Sequence, residues 1–208
     1  MAFWTDNFSS TTALKDPKRK FRFIVRISGF PDDTNLWFAK TAAKPSFTIA
    51  AAEHKYLNHT FYYPGSVTWN DVAITMVDPQ DPDVAHSLTS LIQKAGYNPP
   101  DTTSDLSTMT KARAATNLGQ VTVTALNGGG ESIETWTLQN AWITDLKFGD
   151  LEYGGDDLTE VSMTLKYDWA TLDTPGETPV FDKATGGAAG EVGGADVNSP
   201  APDQAAAI

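Results

Sequence analysis

The sequence predicts a mainly β protein, a β-sandwich or barrel segment carrying one packed α-helix, and three observations lead there. Apolar residues recur with period two over most of the chain, Gly- and Asn-rich stretches punctuate the runs, and a single stretch switches to helical spacing. In residues 21–28, Phe21, Phe23, Val25 and Ile27 alternate with Arg22, Arg26 and Ser28, with Ile24 the exception on the polar side. The clearest alternation spans 158–169, where Val161, Met163, Leu165, Tyr167 and Trp169 interleave with Glu160, Ser162, Thr164, Lys166 and Asp168. Such a strand buries one face and offers the other to water or a partner.

Further strands are expected at residues 36–42, 55–61, 67–77, 119–126 and 133–143. The run Asn127-Gly128-Gly129-Gly130 reads as a hairpin turn between two of them, since Asn and Gly accept the positive φ that such turns require. A helix is expected over about 82–95. Asp81 is its N-cap and Pro82 its first residue; Val84, Leu88, Leu91, Ile92 and Ala95 form the apolar stripe, and Gly96 stops it. Residues 98–116, rich in Thr, Ser, Asp and Pro, read as a long loop, and 174–208 as a Gly/Ala/Pro-rich extension unable to bury enough surface to fold alone.

With 208 residues and 40% hydrophobic content, the chain can build one core of ordinary size. It has no cysteine, which excludes a disulfide framework and thiolate chemistry, and suits a reducing cytoplasm. No apolar run approaches the roughly 20 residues of a membrane span, so neither a signal peptide nor a membrane anchor is expected. The net charge of −11 is unevenly placed: residues 1–60 carry nine Lys/Arg against five Asp/Glu, and residues 131–208 carry three against fifteen. An acidic chain is a poor general binder of nucleic acid, but a basic end and an acidic end allow copies to attract one another head to tail.

Little points to catalysis, a metal or a cofactor, and none is expected. The three histidines are His54, His59 and His86; the first two, five apart, fall on opposite faces if they share a strand. Asp78, Asp81 and Asp83 lack the spacing of a calcium loop and are explained by helix capping. Asp156 and Asp157 read as turn residues, with no second carboxylate placed across a cleft as a glycosidase needs. No GxSxG, phosphate loop or dinucleotide fingerprint occurs.

The segments FRFIVRI, WFAKTAAKPS, HKYLNHTFYYPGSVTWNDVAITMVDPQD, ETWTLQNAWITDLKFGDLEY and DDLTEVSMTLKYDWA, in this order, resemble the tail tube proteins of contractile-tailed bacteriophages. This myovirus-type family includes relatives in contractile injection systems. The resemblance covers about residues 21–170, within a tail-tube-like domain over 1–173; the 98–116 loop and the extension after 173 depart from it.

It implies a subunit of a hexameric ring with a continuous inner β-barrel. Rings would stack into a tube through which DNA passes during genome ejection. The implied partners are further copies of the chain, the tail sheath, the baseplate and the tail terminator, with no membrane. The implied location is the virion tail, assembled in the host bacterial cytoplasm. A tube initiator or terminator ring of the same fold is the nearest alternative, and a carbohydrate-binding β-sandwich using Tyr62, Tyr63 and Trp69 comes from a different class.

Under the tube reading, the stretch YLNHTFYYPGSVTWND, turning at Pro64-Gly65, looks like a projecting loop or hairpin reaching toward the adjacent ring. Tyr56, Phe61, Tyr62, Tyr63 and Trp69 are then inter-subunit candidates, with Arg22 and Arg26 of the first strand. These aromatics covering the end of the domain's own core is the competing reading. Thr122, Thr124, Glu131, Glu134 and Thr135, as polar positions of the Gly128 hairpin, are the lumen candidates. A lumen of carboxylates and hydroxyls would let phosphates slide past.

Overall fold

The computed structural model describes residues 17–30, 36–81, 83–100 and 108–182. Ten strands form three sheets. The first sheet takes β1 (Phe23–Ile27), β6 (Val121–Leu126), β7 (Ser132–Gln139) and β10 (Trp169–Asp173), in that order. The second takes β2 (Ala39–Ala42), β5 (Val72–Val77), β9 (Glu160–Lys166) and β8 (Trp142–Lys147). A separate two-stranded hairpin is made of β3 (Phe47–Tyr56) and β4 (His59–Trp69). Every pairing is antiparallel, although only β3–β4 and β6–β7 are joined by short turns. Both four-stranded sheets are open, so a mainly β sandwich is present and no barrel closes among the described residues.

The core follows from the period-two pattern. Val25 and Ile27 of β1, Val121 of β6, Leu138 of β7 and Ala170 of β10 face inward from the first sheet. Val72, Ile74, Met76, Val161, Met163 and Leu165 face them from the second. Burying a side chain of this size contributes roughly 1.5–3 kcal/mol, which is why the alternation is so strict along β5 and β9.

Two helices are present among the described residues, where the sequence leads one to expect one. The first, α1 (Val84–Lys94), is capped by Asp83, whose carboxylate accepts from His86 N at 2.8 Å, so the cap lies two residues beyond the expected Asp81. Pro82 lies outside the described residues. Val84, Leu88 and Leu91 enter the core, and the helix ends before Gly96 (φ 113°), as expected. The second, α2 (Lys111–Leu118), occupies the end of the stretch read as a loop; Thr110 caps it and Gly119, at φ 70°, follows it. Only Ala114 and Leu118 are buried, too few apolar positions to show a helical period in the sequence.

The expected strand over 55–61 instead straddles a reversal: Leu57, at φ 53°, and Asn58 turn the chain between β3 and β4. Pro64-Gly65 is therefore no turn. It lies inside β4, where the register against Ile49 and Ala51 slips by one residue, and a bulge of this kind tolerates a proline that a regular ladder does not. The first part of β3 escaped notice because Ala50-Ala51-Ala52 has no alternation. The runs 67–77 and 133–143 are each two strands, broken at Asn70-Asp71 and at Asn140, whose φ is 55°.

Gly29 clamps α2 to the end of β1: its amide donates to Leu118 O at 2.9 Å, and a Cβ there would lie 2.4 Å from Asn117 O. Gly29→Ala is expected to lower stability by about 1–3 kcal/mol, read by urea denaturation, because backbone has to move to admit one methyl group.

Candidate assembly surfaces

The first sheet has a face that the core does not use. Registers place Ile24, Arg26, Thr122, Thr124, Thr135 and Thr137 on it, opposite the buried residues of the same strands. Ser28, Gln120, Leu126 and Ser132 continue it, and together with Gly130 they shape an open recess of about 580 Å³. The hydroxyls of Thr124 and Thr135 lie 3.3 Å apart across the β6–β7 ladder. Glu131 stands at the rim, in the expected Gly128 turn. There Asn127 accepts from Gly129 N and Glu131 N and donates to the Glu131 carboxylate. Arg22 sits beside the same turn, close enough that a Cβ on Gly128 would lie 3.4 Å from its Nη1.

Glu134 does not join this surface. It pairs with Ala125 and points to the core side with Trp136, two residues on, where it is only 6% exposed. Its carboxylate accepts from Lys18 Nζ, from Lys44 Nζ at 2.7 Å and from Trp136 Nε1. Burial opposes its ionisation, but the hydrogen bonds from Lys18, Lys44 and Trp136 outweigh it and hold the carboxyl at about 2 instead of 4.5. Reading Glu134 as a lumen residue fails because it is adjacent to Thr135 in β7, and neighbouring residues of a strand face opposite sides, so only Thr135 lies on the open face. The face that remains is rich in hydroxyls, with Arg26 on it, and is not coated with carboxylates.

The aromatic stretch divides into two sets. Trp69 packs at the hairpin base, its ring 5.1 Å from Phe47, 5.7 Å from Phe181 and 5.9 Å from Tyr167. It is a joint within the chain. Tyr56, Phe61, Tyr62 and Tyr63 lie along the exposed part of the hairpin. Because Tyr56 opposes His59 and His54 opposes Phe61, the residues His54, Tyr56, His59, Phe61 and Tyr63 share one face, and Tyr62 lies on the other with Glu53 and Lys55. The two histidines, read as lying on opposite faces, are brought together by the Leu57 turn between them.

The remaining polar motifs are structural. Asp78 Oδ1 accepts from Val84 N, so Asp78 and Asp83 both serve the start of α1. Asp168 accepts from Lys111 of α2 at 2.6 Å and from Asn140 at 2.8 Å, which ties the β7–β8 and β9–β10 turns to α2 and holds its carboxyl below the usual range. Among the described residues no group of His, Asp and Glu could hold a metal ion, and no helix is long and apolar enough to cross a membrane.

The Glu134 cluster makes stability depend on pH with a definite sign. A folded-state pKa below the unfolded one stabilises above about pH 4.5, and the contribution fades as pH falls toward 2. With both lysines more than half exposed, its size is about 1–3 kcal/mol. Glu134→Gln is expected to lose that amount at pH 7 in urea denaturation, and the gap from the parent chain is expected to close near pH 2.

No family model and no curated protein matches the sequence. Solved structures do match in fold. A chain from the sheath–tube complex of the extracellular contractile injection system PVC superposes with a TM-score of 0.58 at 18% identity, covering 80% of this chain and 99% of its own. A chain from the anti-feeding prophage cap, its tube terminating cap, gives 0.58 at 17% identity, covering 84% and 99%. One from the six-fold symmetrised baseplate of the anti-feeding prophage gives 0.52 at 16%, covering 77% and 98%. The chain therefore has the fold of the tube and terminator proteins of contractile injection systems.

Proposed function

We propose that this chain is a structural subunit of a phage tail tube: six copies close into a ring, rings stack, and DNA passes through the lumen during ejection. The observation that carries this reading is the second face of the first sheet, open, polar and set back to back with the core, on a fold shared with tube components. A sheet with one buried and one hydrophilic concave face is what a ring needs in order to line a water-filled channel. Hydroxyls hydrate such a wall without the accumulated Lys and Arg contacts that would hold phosphates in place.

The sheath, the baseplate and a terminator are the further partners, and residues up to 173 form the tube domain. No residue is assigned a catalytic role. Ring closure would also cover what the Leu36–Val25 and Leu172–Val180 backbone hydrogen bonds leave open of the outer edges of β1 and β10, which otherwise invite unregulated pairing. A single end ring is the second reading, because terminator chains share the fold as closely as the sheath–tube chain does.

Negative-stain electron microscopy of the purified chain, across concentration and salt, tests the proposal. Six-fold rings or hollow rods are expected; long rods favour the main tube and isolated rings favour the end ring. Monomers under every condition would overturn both. If the basic and acidic ends of the chain attract, rods are expected to shorten at high salt.

Thr122→Lys and Thr135→Lys place cations on the open face without touching the core. Tubes are expected to form normally while DNA release slows, measured as the rate of genome ejection from particles carrying the variant.

A further inference from the structure

The β3–β4 hairpin and the β8–β9 loop, residues 148–159, leave the second sheet at opposite ends. The registers require it. β4 ends at Trp69 and the chain enters β5 at Val72, across from Leu165; β5 leaves at Val77, across from Glu160, where β9 begins. β8 ends at Lys147, opposite Ser162, so the loop starts and finishes at the Val77 end.

That loop is built around a recess of about 350 Å³, with Leu151 and Leu158 among its walls and Asp150, Glu152 and Asp157 around them. Leu151 is 88% and Leu158 71% exposed, and nothing among the described residues covers them. The volume suits one or two aromatic side chains. At the other end of the sheet, the hairpin presents His54, Tyr56, His59, Phe61 and Tyr63 on one face, with Glu53 and Lys55 turned away. The His and Tyr rings carry N–H and O–H groups, the donors that a carboxylate rim accepts, and the apolar bodies of all five match leucine walls. Tyr seated in such pockets is a common source of interface energy.

We propose that the His54–Tyr63 face of one copy docks into the 148–159 recess of another copy, making this pair the stacking contact between rings. Complementary patches at opposite ends of one sheet give a head-to-tail contact that repeats without closing, which is the symmetry of a rod. The inference rests on the tube reading and names the acceptor within it.

A benzophenone amino acid in place of Tyr63 tests it in the full chain. Rods are assembled from a mixture of ¹⁴N- and ¹⁵N-labelled chains, confirmed by microscopy, irradiated and digested. Mixed-isotope cross-links to peptides within 148–159 are expected. Cross-links to any other segment of a neighbouring copy would overturn the docking while leaving the tube reading intact. Leu151→Glu with Leu158→Glu changes only exposed side chains, so circular dichroism is expected to match the parent. The protein concentration at which rods appear is expected to rise about tenfold or more, and an unchanged threshold would overturn the docking. Absence of rods and rings from the parent chain would instead sink the tube reading, and the docking with it.

Discussion

The β5–β9 ladder is the constraint on which the rest of the structure depends. Six inward side chains, Val72, Ile74, Met76, Val161, Met163 and Leu165, are almost wholly removed from water, and a slip of one residue would turn all of them to the solvent face. Because this central pair cannot shift, everything attached to its ends is fixed in direction. The hairpin departs near Val72, the acidic loop near Val77, and β9 passes through Tyr167 and Asp168 into β10 of the other sheet. The sandwich thereby converts one register into the placement of two projecting surfaces.

Charge is used in two distinct ways. Glu134 sits where a carboxylate is costly, and it is tolerated because Lys18, Lys44 and Trp136 supply donors on several sides. The two lysines come from the segment before β1 and from the link into the hairpin, so the cluster fastens the hairpin's root to the first sheet. The loop acids Asp150, Glu152 and Asp157, by contrast, line an open recess. A carboxylate is buried and fully partnered in one place and exposed in the other.

A tube subunit has to satisfy requirements that a monomeric sandwich does not. It needs a hydrophilic face toward a channel, edges that a neighbour can pair with, and ends that complement each other. Under the proposed function, the open face of β6 and β7, the edges at β1 and β10, and the opposed hairpin and loop would meet these requirements in turn.

Much of the fold was legible in the sequence, since the period of apolar residues is a local property of each strand and helix. It determined a mainly β sandwich, the strands around Val25, Val123 and Met163, the Gly128 turn, and the stripe and Gly96 end of α1. The resemblance of ordered segments to tail tube proteins agreed with the fold likeness found later. Tertiary structure alone decided where the chain reverses and which strand pairs with which. A turn at Leu57 put His54 and His59 on one face, a bulge absorbed Pro64-Gly65 into a strand, and a register slip at Leu126 brought Ser132 to the same side as Thr135. Alternation within a strand says which residues share a face, but a bulge or a slip resets that count, and its position follows from pairing with distant strands.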